Sequence, residues 1–130
     1  MLLPIIAGVA VAAVSVITAS PGIAALDAGD FVTASLELGV PHATGFPLQV
    51  MLGRVLGWLP FGTLGFRVAI ASALMSGLAA WATVDTVARV ARSVPTTVGA
   101  GVATLLAFVR VDTLALHARV PEVYALHLAI

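Results

Sequence analysis

The first charged side chain in this sequence is Asp27. Met1 to Ser20 is an apolar run with no charge in it. Twenty helical residues at 1.5 Å each reach about 30 Å, the hydrocarbon thickness of a bilayer. Two further uncharged runs follow, Val68–Val84 between Arg67 and Asp85, and Ser93–Val109 between Arg92 and Arg110. Each is close to the lower limit of about 17 residues for a membrane span. Composition says the same thing from another side: 61% of the chain is hydrophobic and only 9% is charged. A soluble domain carries about 25% charged residues, and a small one needs them to cover its surface.

The balance of the few polar groups removes other classes. Six arginines, no lysine and six acids leave a net charge of zero, so no nucleic-acid footprint is present. The absence of cysteine removes disulfides, thiol catalysis and zinc–thiolate sites. The expected fold is therefore an all-α integral membrane protein. It has three transmembrane helices over 2–20, 66–85 and 94–112, and the start of a fourth from about 121. A signal peptide is the competing reading of the first run. It lacks a basic n-region and is longer than an h-region of roughly 7–15 residues, so a retained helix is favoured. Pro21-Gly22 breaks it. Pro95 falls at the start of the third helix, where its missing N–H costs little.

Arg89 and Arg92 follow the second span, and the positive-inside rule assigns that connection to the cytoplasm. The loop 21–65 and the region from Arg110 to Glu122 then face outward together. In the loop, Asp27 opens a helix over Ala28–Leu38, which Gly39 ends and Pro41 cannot continue. Asp30, Thr33 and Glu37 share one of its faces, and Phe31, Ser35 and Leu38 another. Leu48–Leu59 has the pattern of an interfacial helix. Gly53 and Gly57 within it form a G-x-x-x-G that favours close helix packing.

Two readings apply to the acids. A carboxylate held at a membrane boundary can act as a general base. Asp27 at an N-cap with Asp30 at the third helical position also resembles a capping box, and local pattern alone favours capping. His42, in a loop of prolines and glycine, has the chemistry to bind phosphate, shuttle a proton or ligate a metal, or it is simply solvated. Asp27, Asp30 and His42 have the donors of a hard-cation site, but their spacing matches no metal-binding motif, so no metal ligand is assigned and the need for a divalent metal stays open. Arg67 and Arg119 are the arginines placed to take an anionic headgroup, against interfacial anchoring as the alternative. Glu122 and Tyr124 sit at the start of the fourth helix, as a first-turn acid and an interfacial aromatic.

Several segments taken in order resemble protein O-mannosyltransferase-like membrane proteins. They are Leu26-Asp27-Ala28-Gly29-Asp30-Phe31, Leu38-Gly39-Val40-Pro41-His42 and Gly45-Phe46-Pro47-Leu48. The family pattern reads roughly D-S-G-E-F, a short helix, then L-G-V-x-H-P-P-G-Y-P-L. Leu52-Gly53-Arg54, Phe66-Arg67-Val68 with Ser72-Ala73-Leu74, and Glu122-Val123-Tyr124-Ala125-Leu126 continue the match. The resemblance covers 24–130, places the chain with the glycosyltransferase-C superfamily, and reaches only the N-terminal portion of its multispan members.

What the resemblance implies is a membrane glycosyltransferase. Its donor is a sugar on a polyprenyl or dolichyl phosphate, its acceptor a hydroxyl, and the transfer inverts the anomeric centre. Asp27 is then the first candidate for the base, with Asp30 where the family has Glu. His42 would position acceptor or phosphate, and Glu122 and Tyr124 would border the same outer cavity. Ala43-Thr44 replaces the family's Pro-Pro pair. The implied partners are the bilayer, the lipid-linked sugar, and the remaining spans or a partner subunit. The implied location is a bacterial inner membrane, with the loop from Asp27 to Arg67 outward. The alternative is a non-catalytic membrane subunit whose helices pack with a partner.

Overall fold

The computed structural model describes residues 2–22, 27–41 and 46–121. Among them are six helices and no strand: α1 Leu2–Ile17, α2 Ala28–Glu37, α3 Pro47–Gly57, α4 Leu64–Ala91, α5 Val94–Arg110 and α6 Asp112–Arg119. The start of a fourth span near 121 lies outside the described residues.

The long helix α4 organises the rest. Thr63 caps it in extended conformation, its Oγ1 accepting from the Phe66 amide at 3.2 Å. At 28 residues, α4 is about 42 Å long and exceeds the 66–85 segment at both ends. It runs unbroken through Asp85 and Arg89, whose carboxylate and Nε pair at 2.5 Å one turn apart. Arg89 is therefore on the helix, contrary to the expected connection. Only Arg92, left-handed at φ 49°, and Ser93 separate α4 from α5.

Helices α1 and α4 lie antiparallel. Leu2 to Pro4 sit beside Asp85 and Arg92, and at the other end the Thr63 hydroxyl donates to the Pro21 carbonyl. They cross at two glycines. A Cβ built on Gly8 would stand 2.8 Å from the Gly77 carbonyl, and one on Gly77 would stand 2.7 Å from the Ala12 Cβ. Backbones that close allow no side chain between them. Helix α5 returns alongside α4, burying Thr97 and Phe108.

The third expected span, 94–112, is not one straight helix. The chain bends by 78° between α5 and α6 at Val111, which is extended at φ −81° and ψ 108°. The bend folds α6 onto the bundle, where Ala118 joins Val11, Ala80 and Phe108 in one buried cluster. The apolar area removed from water or lipid by that docking replaces the hydrogen bonds of a continuing helix. Among the described residues α4 alone is long and apolar enough to cross a membrane, and the α5–α6 pair qualifies only if counted as one broken span. The 16 residues of α1 reach about 24 Å, short of a bilayer core.

Helices α2 and α3 form a hairpin against the first half of α4. Phe31 is buried against Phe46, with ring centroids 5.8 Å apart, and Met75 completes the contact. Helix α3 starts with Pro47 in its first turn, and Gln49, Val50 and Gly53 are its buried side. It covers Pro47–Gly57 where Leu48–Leu59 was expected, and it packs on two helices along its length.

Candidate functional site

Three links bring the expected outer segments to one end of the bundle. The Ser20 amide donates to the Arg119 carbonyl at 2.9 Å, joining the ends of α1 and α6. Thr63 reaches Pro21. Arg67 gathers the turn between α3 and α4, donating through one terminal nitrogen to the carbonyls of Gly57 at 2.7 Å and Leu59 at 2.6 Å. Its Nε donates to the Thr63 carbonyl at 3.3 Å. Arg67, Arg119 and the end of α3 therefore share this end, and the last turn of α2 lies beside Leu64 there, whereas Phe31 near the start of α2 packs at Met75, well inside α4.

Asp27 occupies the N-cap of α2, and its carbonyl accepts from the Phe31 amide at 3.1 Å. Its side chain makes no capping hydrogen bond. The capping box is thus corrected, and the backbone explains why. At φ −84° and ψ 8°, Asp27 has left the extended conformation that turns a cap side chain toward the third helical amide. Both Asp27 and Asp30 are exposed.

Asp30, Thr33 and Glu37 do share a face, and it lines an open groove of about 330 Å³ closed on its far side by Gly39, Val40 and Pro41. The Thr33 hydroxyl donates back to the Gly29 carbonyl at 2.9 Å, which leaves the two carboxylates as the groove's charged groups. The helix ends one residue earlier than expected. Leu38 takes the left-handed conformation at φ 54°, and the Gly39 amide donates to the Ala34 carbonyl at 2.9 Å. This six-to-one closure is that of a Schellman turn, with leucine where glycine is usual. Arg54 satisfies another carbonyl of the same end, that of Leu36, and its guanidinium lies 5.8 Å from the Trp58 ring centroid.

Arg119 is half-buried, its Nε shielded from solvent with no hydrogen-bond partner among the described residues. Arg67 is spent largely on backbone carbonyls, so its position is that of a brace. His42, Glu122 and Tyr124 lie outside the described residues. No group of three or more His, Asp or Glu side chains among the described residues is arranged to hold a metal ion.

A buried polar contact behind the site went unread in the sequence. The fully buried Gln49 donates through Nε2 to the Ser72 hydroxyl at 3.4 Å, and its Oε1 has no partner. The nearby Ser35 Oγ is likewise buried and unpaired, pressed by Gly53 of α3. The available signal was a lone amide in an apolar helix, together with Ser72 and Ser76 at one-turn spacing in an apolar run. Gly53 also bears out half of the G-x-x-x-G reading. A Cβ there would meet the Ser35 Cβ at 3.0 Å and Val68 at 3.2 Å, whereas one on Gly57 would make only ordinary contact with Leu64 at 3.6 Å.

Comparison with known proteins points to the same family as the resemblance of these motifs. The chain is 36% identical over 84 residues to the protein O-mannosyl-transferase TMEM260 of Mus musculus. That match takes in 64% of this chain and 12% of the mouse protein, so the chain spans about an eighth of its relative's length. No solved structure matches the chain. Residues 27–130 match the family described as the protein O-mannosyl-transferase TMEM260 N-terminal domain, starting at Asp27 itself. With four-fifths of its length inside that match, the chain belongs to the family of TMEM260-type O-mannosyl-transferase N-terminal domains.

Proposed function

We propose that this chain is the acceptor-activating, N-terminal portion of a membrane glycosyltransferase that moves a sugar, by family a mannose, from a polyprenyl-phosphate carrier to a hydroxyl. The family match beginning at Asp27 carries the reading, and the exposure of Asp27 and Asp30 supports it. In this mechanism Asp27 takes the proton of the acceptor hydroxyl as its oxygen attacks the anomeric carbon. The bond from that carbon to the carrier phosphate breaks on the opposite side, and the configuration inverts. Asp30, one turn along, orients the acceptor. Arg119 is the better placed cation for the departing phosphate, because Arg67 already holds three carbonyls. His42, Glu122 and Tyr124 complete the site on the family resemblance alone. The bundle sits in a bilayer with the α2 end outward, and further spans supply the rest of the lipid groove.

The test is transfer to an acceptor by a complete enzyme containing this segment. Asp27→Asn is expected to lower kcat by about 10²–10⁴-fold, the usual contribution of a general base, with little change in donor binding. Asp30→Asn is expected to raise the acceptor KM more than it lowers kcat. Full transfer in both variants would remove the mechanism and leave a packing subunit as the reading.

A further inference from the structure

The opposite end of the bundle carries a second concave region that the proposed transfer does not use. A cavity of about 660 Å³ opens between the start of α1, the last turns of α4 and the first turn of α5. Leu2, Leu3 and Val94 form apolar walls, and Arg89 and Arg92 stand at its polar side. A narrower apolar groove of about 190 Å³ shares Leu3 and Thr97 with that cavity and runs on between α1 and α5, past Ile6, Val98 and Val102. Gly101 borders open space in it, since a Cβ there would touch only the Ala7 Cβ at 3.9 Å.

The charge at the mouth is asymmetric. Asp85 neutralises Arg89 through its Nε at 2.5 Å. Arg92 has no ion-pair partner among the described residues and is exposed. The three side chains sum to one positive charge at the head of an apolar channel. We propose that this end binds an anionic phospholipid, its phosphodiester on Arg92 and the free edge of Arg89 and one acyl chain in the α1–α5 groove. A phosphodiester carries the single negative charge that the mouth lacks, and guanidinium groups match its oxygens. A zwitterionic lipid offers the same phosphodiester but brings its own cation, which offsets part of the gain. A free phosphate ester would leave the groove unfilled. The site rests on the bilayer reading but not on catalysis, because its lining shares no residue with the proposed transfer site.

The experiment is native mass spectrometry of the whole chain released from neutral detergent, with equal phosphatidylglycerol and phosphatidylcholine of the same acyl chains, and separately with glycerol phosphate. One retained phosphatidylglycerol is expected, preferred about fivefold for each arginine that contributes. Arg92→Gln should cut that preference about fivefold and Arg89→Gln/Arg92→Gln should abolish it, with helicity by circular dichroism unchanged. Gly101→Leu, which fills the groove, should lower retention of both lipids. Equal retention of the two lipids, a preference that survives the double arginine variant, or glycerol phosphate held as well as the lipid would each overturn the proposal.

Discussion

Gly8 and Gly77 show how single residues set the closest approach in this bundle. Each faces the other's carbonyl at 2.8 Å from where a Cβ would stand, so even alanine would force α1 and α4 apart. Gly8→Val is expected to destabilise the chain by about 1–3 kcal/mol through overpacking, read as a lower unfolding midpoint in denaturing-detergent titration. Gly99 is the contrast. It is exposed on α5 with nothing within 4 Å of a Cβ, so Gly99→Ala should raise the same midpoint by roughly 0.5–1 kcal/mol through helix propensity. A similar loss in both variants would mean that the crossing is not where backbone contact limits packing. Gln49 works in the other direction: a buried amide with one long hydrogen bond and one orphaned oxygen is a cost that the α2–α3–α4 packing carries.

Among the elements, α4 depends on its ends. Thr63 both caps the helix and ties it to Pro21, so one hydroxyl holds the start of α4 and the end of α1. Thr63→Ala is expected to cost about 1 kcal/mol, and Thr63→Ser to retain most of it. Faster amide exchange at Phe66 in the alanine variant, against near-normal exchange in the serine variant, would check the assignment. The neighbouring hairpin is held in the same way by cations on carbonyls. Arg54 closes the end of α2 and Arg67 closes the end of α3, each meeting acceptors that helix geometry leaves without partners. The break between α5 and α6 has no proline or glycine at Val111 to explain it. Its cause is the burial of Ala118 beside Val11 and Ala80, which a straight continuation of α5 would forgo.

At the scale of the whole molecule the chain has two ends of different character: Arg67, Arg119 and the close of the α2–α3 hairpin at one, the Asp85–Arg89–Arg92 edge at the other. With no native cysteine, single cysteines report which side of a bilayer each end faces. Thr33→Cys and Val94→Cys, both at exposed positions, should be labelled by an impermeant maleimide from opposite sides of sealed vesicles. Labelling of both from one side would mean that α4 does not cross.

Much of this was legible in the residues. Long uncharged runs forced helices, because backbone groups without water must pair within the chain. Pro21, Pro47 and Pro95 marked helix boundaries through their missing donors, and the spacing of Asp30, Thr33 and Glu37 put them on one face by helical period alone. Those are local consequences of covalent structure. The close of α2 beside Arg54, the bend at Val111 that docks Ala118 and the Gly8–Gly77 crossing involve contacts between segments far apart in the chain. No periodicity encodes which helix faces which. That choice follows from how closely particular backbones can approach and how much apolar surface each arrangement buries, and both quantities exist only once the chain is folded.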